Sequence, residues 1–228
     1  MKSLITYINE GLKLGKGRRY RFRPETKREL ELLVKNLIEE HGYNANLNCI
    51  DTSKITDMSE LFFVNKKFNG DISGWDVSNV TNMRAMFHNS KFNGDLSNWN
   101  VSKVTSMESM FYDCNFTGKN GDISNWDVSN VTNMSNMFSA SKYNGDISKW
   151  KVSNVQYMNN MFCNSVFNND ISDWDVSNVK QMNSMFLTAN FNGDLSKWIL
   201  NNRCSTIYTF DNCSLEKQPE KWPQNYKP

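Results

Sequence analysis

The side chains that could do chemistry do not stand at the spacings chemistry needs. Its two histidines, His41 and His88, stand far apart, and neither has a Ser, Cys or carboxylate partner at a recurring spacing, as a nucleophilic site would need. The cysteines, Cys49, Cys114, Cys163, Cys204 and Cys213, are odd in number and show no C-x-x-C or metal-type spacing. No disulfide framework is expected; the thiols read as small, largely buried groups. What does recur is one aspartate per repeat: Asp71, Asp95, Asp122, Asp146, Asp170 and Asp194. A calcium ladder would need several oxygens converging on one point, so these aspartates are expected to cap turns and bind backbone amides between coils. Paired methionines evoke a thioether copper site, but their regularity through every repeat makes them core. The repeated glycines sit in Asn-Gly-Asp without the strand-to-helix context of a phosphate loop. No catalytic residue, cofactor or metal is expected, and the chain reads as non-enzymatic.

The element that positions these residues is a repeat. Trp75, Trp99, Trp126, Trp150, Trp174 and Trp198 are spaced by 24, 27, 24, 24 and 24 residues, the odd spacing marking an inserted loop near Thr117 to Lys119. Valines follow each early Trp at two and five residues. Methionines recur at Met83, Met107, Met134, Met158 and Met182 and at Met86, Met110, Met137, Met161 and Met185, and an aromatic at Phe87, Phe111, Phe138, Phe162, Phe186 and Phe210. A fixed period within about 20–50 residues is the signature of a solenoid whose units bury their apolar faces only by stacking. Ile72, Trp75, Val77 and Val80 reproduce leucine-rich-repeat spacing, with Val in place of the final Asn. The expected fold is a leucine-rich-repeat-like solenoid of about seven coils, with a short parallel strand over Trp75 to Val77 and its equivalents. A short helical turn is expected over each Met-x-x-Met-Phe. Asn-Gly-Asp reads as a turn in which Asn and Gly tolerate positive φ.

With these columns, WDVSNVTNMSNMF followed by FNGDIS, residues 46–215 resemble the BspA-type leucine-rich-repeat surface proteins of bacteria. The resemblance implies a curved scaffold that binds other macromolecules, often at cell surfaces, and no catalysis. The opening MKSLITYINEGLK resembles, more weakly, the N-terminal leaders of tailed-phage proteins that are packaged or assembled into heads.

Three segments are expected: residues 1–45 as N-terminal helices and a basic arm forming a cap, 46–215 as a solenoid of about 24-residue repeats, and 216–228 as an extended tail over the last coil. Leu4, Ile5, Ile8 and Leu12 fall at helical spacing after Ser3, predicting a helix over 3–13. The Lys13 to Arg28 stretch is basic although net charge is only +2. Arg18, Arg19, Arg21 and Arg23 interleave with Tyr20 and Phe22, as in a nucleic-acid-binding arm or in an edge strand with its charges outward. Thr26 and Glu29 form a capping box before the stripe Leu30, Leu33, Val34, Leu37 and Ile38, predicting a helix over 24–41 that Gly42 ends. In the last coil Arg203, Thr206 and Thr209 replace apolar residues, as in a cap facing water. With no signal-peptide core and no stretch approaching about 20 apolar residues, membrane insertion is not expected, and a cytoplasmic or virion location is favoured over a secreted one.

Alternation about each Trp and Val sends the intervening residues outward. Those columns include Asn98, Asn100, Asn125, Asp127, Lys149, Lys151, Asp173, Asp175 and Lys197, polar and varied, with Lys149 and Lys151 as a basic patch beside acidic Asp173 and Asp175. The expected function is a protein-binding scaffold using this face, with a glycan as a further class of partner. The alternatives are a phage virion structural or head-packaged protein, and nucleic-acid binding through the arginine arm.

Overall fold

The computed structural model describes residues 21–227. The expected helix over 3–13, the leader pattern, Arg18 and Arg19 lie outside that range. Helix α1, Lys27–His41, carries the capping box: the Glu29 N–H donates to Thr26 Oγ1 at 3.3 Å and the Thr26 N–H to Glu29 Oε2 at 3.1 Å. Pro24 and Glu25 lie before it rather than in it. Gly42, at φ 85°, closes the helix by donating to the Ile38 carbonyl at 2.8 Å. Leu30, Leu33, Val34, Leu37 and Ile38 are all buried, so the apolar stripe is the face that covers the first coil. Just before α1, Phe22 is buried and forms a parallel bridge with Ile50, while Arg21 and Arg23 are exposed. That is the alternation expected of an edge segment.

Seven coils follow, linked by a chain of parallel single-residue bridges through Asp57, Asn82, Ser106, Asn133, Tyr157, Gln181 and Ser205. Every column of the repeat is buried: Ile or Leu, Trp, the Val pair, the Met pair and the aromatics. Rings from neighbouring coils stack in one continuous column, Phe62, Phe87, Phe111, Phe138, Phe162, Phe186 and Phe210, with centroids 5.6 to 5.9 Å apart. A second aromatic lies 4.3 to 4.5 Å from each of the first six (Phe68, Phe92, Phe116, Tyr143, Phe167 and Phe191). Offset stacks of this kind contribute roughly 0.5–1.5 kcal/mol per pair beyond area burial.

Two expectations about local structure fail for a physical reason. Among the described residues there is no strand over Trp75 to Val77 or its equivalents. The N–H of Trp75 turns back to Ile72 O at 3.1 Å and that of Val80 to Val77 O at 2.9 Å, so these donors close turns within the coil and do not reach the neighbour. Among the described residues, the β-bridges that join the interior coils lie at the residue before the first Met. Nor is Met-x-x-Met-Phe helical. Its i to i+3 bonds, such as Met161 N–H to Met158 O at 3.2 Å, close turns whose third residue has positive φ. Two such positions recur per coil, one filled by Glu60, Ala85, Ser109, Asn136, Asn160, Ser184 and Tyr208, the other by Val64, Asn89, Asp113, Ala140, Asn164, Thr188 and Asn212.

These turns leave every second N–H free, and all of the free ones point the same way. Met158, Asn160, Phe162 and Asn164 donate to the carbonyls of Gln181, Asn183, Met185 and Leu187 at 2.8 to 2.9 Å. The same four bonds join each of the six pairs of neighbouring coils, always from the earlier coil to the later. An ordinary sheet alternates its donors and acceptors along each strand; this wall is one-directional, as a helix is.

The repeated glycines also have a different role from a positive-φ turn, since among the described residues only Gly42 and Gly118 have positive φ. A Cβ at Gly70, Gly94, Gly145 or Gly193 would meet the aromatic ring two residues earlier at 2.5 to 2.8 Å. Close approach of backbone to ring is what the position demands. Asn169 fills it in one coil and sends its amide to the Asn144 carbonyl at 2.8 Å.

The C-terminal segment packs over the last coil, folded in turns. A 3₁₀ turn, Pro219–Lys221, brings Trp222 and Tyr226 to 5.8 and 4.8 Å from Phe210, continuing the aromatic column past the last coil. Asn225 donates to and accepts from the backbone of Leu200 at 2.8 and 2.9 Å. Thr209 does not face water: it is fully buried, and its hydroxyl donates to the Thr206 carbonyl at 2.7 Å.

Candidate functional site

On the wall that carries the tryptophans, each indole Nε1 donates to a carbonyl of the preceding coil, Trp75 to Leu47, Trp99 to Ile72, Trp126 to Leu96, Trp150 to Ile123, Trp174 to Ile147 and Trp198 to Ile171, at 3.0 to 3.3 Å. Side chains thus replace the missing strand ladder. Next to them, Asn79, Asn130, Asn154 and Asn178 send their amides to Ser53, Ser102, Ser129 and Ser153 carbonyls of the preceding coil at 2.7 to 2.9 Å. The Asn of the Val-Ser-Asn-Val motif therefore makes the lateral bond, one position before the valine aligned with the repeat's usual Asn. Its recurrence was the available signal.

The recurring aspartates do cap turns, but within their own coil. Asp146 Oδ1 accepts from the Ser148 N–H and Asp170 Oδ1 from the Ser172 N–H, each at 2.9 Å. The backbone donor of each serine holds its aspartate below the usual carboxylate range. The bonds between coils expected of them fall instead to asparagines, as where Asn144 Oδ1 accepts from the Asn168 N–H and Asn168 Oδ1 from the Asn192 N–H, both at 2.8 Å. All five thiols are free. Cys114 and Cys213 are buried, and burial pushes the Cys204 thiol up to about 11.

With the tryptophans and valines held inward, Asn98, Asn100, Asn125, Asp127, Lys149, Lys151, Asp173, Asp175 and Lys197 are all exposed. The fold brings them together as adjacent columns on one face. Ser124, Asn125, Asp127, Ser129, Lys149 and Lys151 line a surface hollow of about 350 Å³ floored by Trp126 and Val128. Asp127 is held low first by the hydroxyl and N–H of Ser129, with the Lys151 ammonium adding to the effect. The separate acidic patch expected at Asp173 and Asp175 is broken, because Lys197 on the next coil pairs with Asp173 at 2.8 Å. Of the arginine arm, Arg23 is engaged: its Nε donates at 2.7 Å to Asp51, a carboxylate buried against the first coil.

Among the described residues no three His, Cys, Asp or Glu side chains converge as a metal site would need, and no helix is long and apolar enough to cross a membrane.

This stack of near-identical coils over a periodic aromatic column, entered through one helix, defines a repeat protein. The chain belongs to the family described as Mycoplasma protein of unknown function, DUF285, whose model matches it twice, over residues 33–119 and 115–222. Comparisons with curated proteins and with solved structures gave no match.

Proposed function

We propose that the protein is a non-enzymatic interaction module, a leucine-rich-repeat-like solenoid akin to the BspA-type surface proteins, and that its contact face is the set of outward columns beside the tryptophans. One observation carries this reading: the inward residues of every coil solve the same packing problem and repeat, whereas the outward ones vary in size and charge on that fixed frame. Stability sets little constraint on exposed side chains, since substitutions there usually change it by less than about 0.5 kcal/mol. The hollow around Lys149 and Lys151 gives this face a concavity, and rigid arrays of this kind present extended docking surfaces. Mixed charge there orients a partner more than it adds affinity. A protein partner fits best, with a glycan as the second class.

The test is quantitative affinity purification from the native source with wild-type protein and the Lys149→Glu, Lys151→Glu variant, both checked for equal melting temperature. Proteins retained by wild type should be depleted at least several-fold with the variant. Equal recovery of every protein by both baits would place the contact surface elsewhere.

A further inference from the structure

Lysines on the outer surface of the coils commonly reach one coil back. Lys103 Nζ donates to Asn79 Oδ1 at 2.7 Å, Lys142 to Asn115 at 3.1 Å, Lys180 to Gln156 at 2.8 Å and Lys197 to Asp173 at 2.8 Å. Lys149 shares the column of Lys197, and Lys151 lies two residues on, with Asn125 and Asp127 one coil back in the same two columns. Among the described residues neither ammonium makes that backward bond, and the four side chains border the hollow of about 350 Å³ instead. Its floor is closed, since Trp126 and Val128 are 4% and 1% exposed, so what the hollow offers a ligand is almost wholly polar. Asp127 gives Oδ1 to the Ser129 N–H at 3.1 Å, and a carboxylate has capacity for further donors.

We infer that this hollow binds one residue of an acidic sugar, its carboxylate on Lys149 and Lys151 and its hydroxyls on Asn125 and Asp127. The inference rests on the contact face proposed above and names a ligand for it. Ammonium groups only donate, a carboxylate only accepts, and an amide does both. A ligand that matches all four side chains must present negative charge, acceptors and donors together. A sugar acid does so, because each hydroxyl both donates and accepts. A bare anion such as phosphate would set its oxygens against the Asp127 carboxylate, and a glutamate side chain from a protein would occupy the lysines but leave Asp127 unmatched. The broad face suits a protein, but its anchors pack into apolar, desolvated pockets, and this closed floor supplies none. The dimensions agree. Beneath the hollow the Trp126 and Trp150 rings stack with centroids 6.4 Å apart, and alternate residues along an extended segment are about 7 Å apart. That frame is about the size of one sugar ring, in a hollow at the small end of ligand clefts, which begin near about 300 Å³.

Glucuronate is the probe, titrated into the full chain while backbone amides are followed by NMR. Saturable shifts centred on 124–129 and 149–151 are expected. Glucose, acetate and a blocked Gly-Glu-Gly peptide should each bind at least about tenfold more weakly, the loss that goes with one charge-assisted hydrogen bond. Asp127→Ala should weaken glucuronate several-fold because it removes an acceptor for hydroxyls, whereas removing a carboxylate beside a simple anion site would tighten binding. Asn125→Ala, expected to weaken it likewise, serves if Asp127→Ala is misfolded. No saturable binding, equal binding of glucose, acetate or the peptide, or tighter binding by Asp127→Ala would overturn the inference. If protein capture by the wild-type bait still depends on Lys149 and Lys151 in that event, the contact face stands and only the sugar is wrong; if capture does not, the face falls with it.

Discussion

The indole N–H of Trp150 donates to the carbonyl of Ile123, 27 residues earlier and one coil back, at 3.1 Å within the buried core. The bond does the work of a backbone ladder on a wall whose own amides are spent in turns. Replacing Trp150 with Phe keeps an aromatic ring but removes one of two bonds to the Ile123 carbonyl, which still accepts the Trp126 N–H at 3.1 Å, a loss of about 0.5–1.5 kcal/mol. Part of a large side chain is lost as well. Denaturant unfolding of Trp150→Phe should show that loss; a midpoint equal to wild type would mean the indole bond contributes nothing.

Tyr143 stands where Phe68, Phe92, Phe116, Phe167 and Phe191 stand in other coils, fully buried, and its hydroxyl has no hydrogen-bond partner. Burial first, then the charges of Asp122 and Asp146, drives its pKa upward. The inserted loop passes directly over it, with Gly118 at φ 76° and so close that a Cβ there would meet the ring at 2.9 Å. Tyr143→Phe removes an unsatisfied polar atom without opening a large cavity. It should stabilise the protein by about 1 kcal/mol, or a rise of roughly 2–4 °C in melting temperature for a chain of this size. A fall in melting temperature would show that the hydroxyl has a partner.

Val64 occupies a left-handed position at φ 54° with a side chain that is 44% exposed. A β-branched residue is strained there, whereas Asn, which fills the same column at Asn89, Asn164 and Asn212, is tolerated. Val64→Asn should therefore gain about 1 kcal/mol in thermal or chemical unfolding. Destabilisation would contradict the assigned turn.

Acid should loosen the turns. The folded-state pKa of Asp146 is depressed, so the stability it confers is full above the ordinary value near ~4 and is lost as pH falls through the folded value. The carboxylate is largely exposed, so its share is under about 1 kcal/mol. Asp146→Ala should be less stable than wild type at neutral pH, and the gap should close as pH falls below the ordinary carboxylate range and through the depressed folded value. A gap that persists at low pH would point to packing rather than charge.

The core was legible because inward residues repeat: the Trp, Val, Met and Phe columns, the capping box of α1 and the inserted loop all read directly from spacing. The backbone between them was not. Period and apolar pattern fit a strand at Trp75 to Val77 equally well, and nothing in the pattern tells whether an N–H turns back to the residue three before it. The positive-φ positions carry Ala, Ser, Glu and Tyr as well as Asn, so turn chemistry was masked by side chains that usually avoid it. Thr209 was misread because a polar residue in a terminal coil suggests water, whereas this hydroxyl satisfies a carbonyl in its own turn. The outward columns followed from alternation alone, but the Lys197 to Asp173 pair spans two coils and is set by side-chain reach, which spacing does not reveal.

Hydrogen exchange mass spectrometry on the complex with a partner recovered by the wild-type bait tests the central claim most directly. The account predicts slowed exchange over 97–101, 124–129, 148–152 and 172–176 on complex formation, with the Met and Phe wall unchanged between its ends. Slowing confined to residues 21–45, or to the interior turns such as 158–165, would contradict the assignment of the contact face to the outward columns.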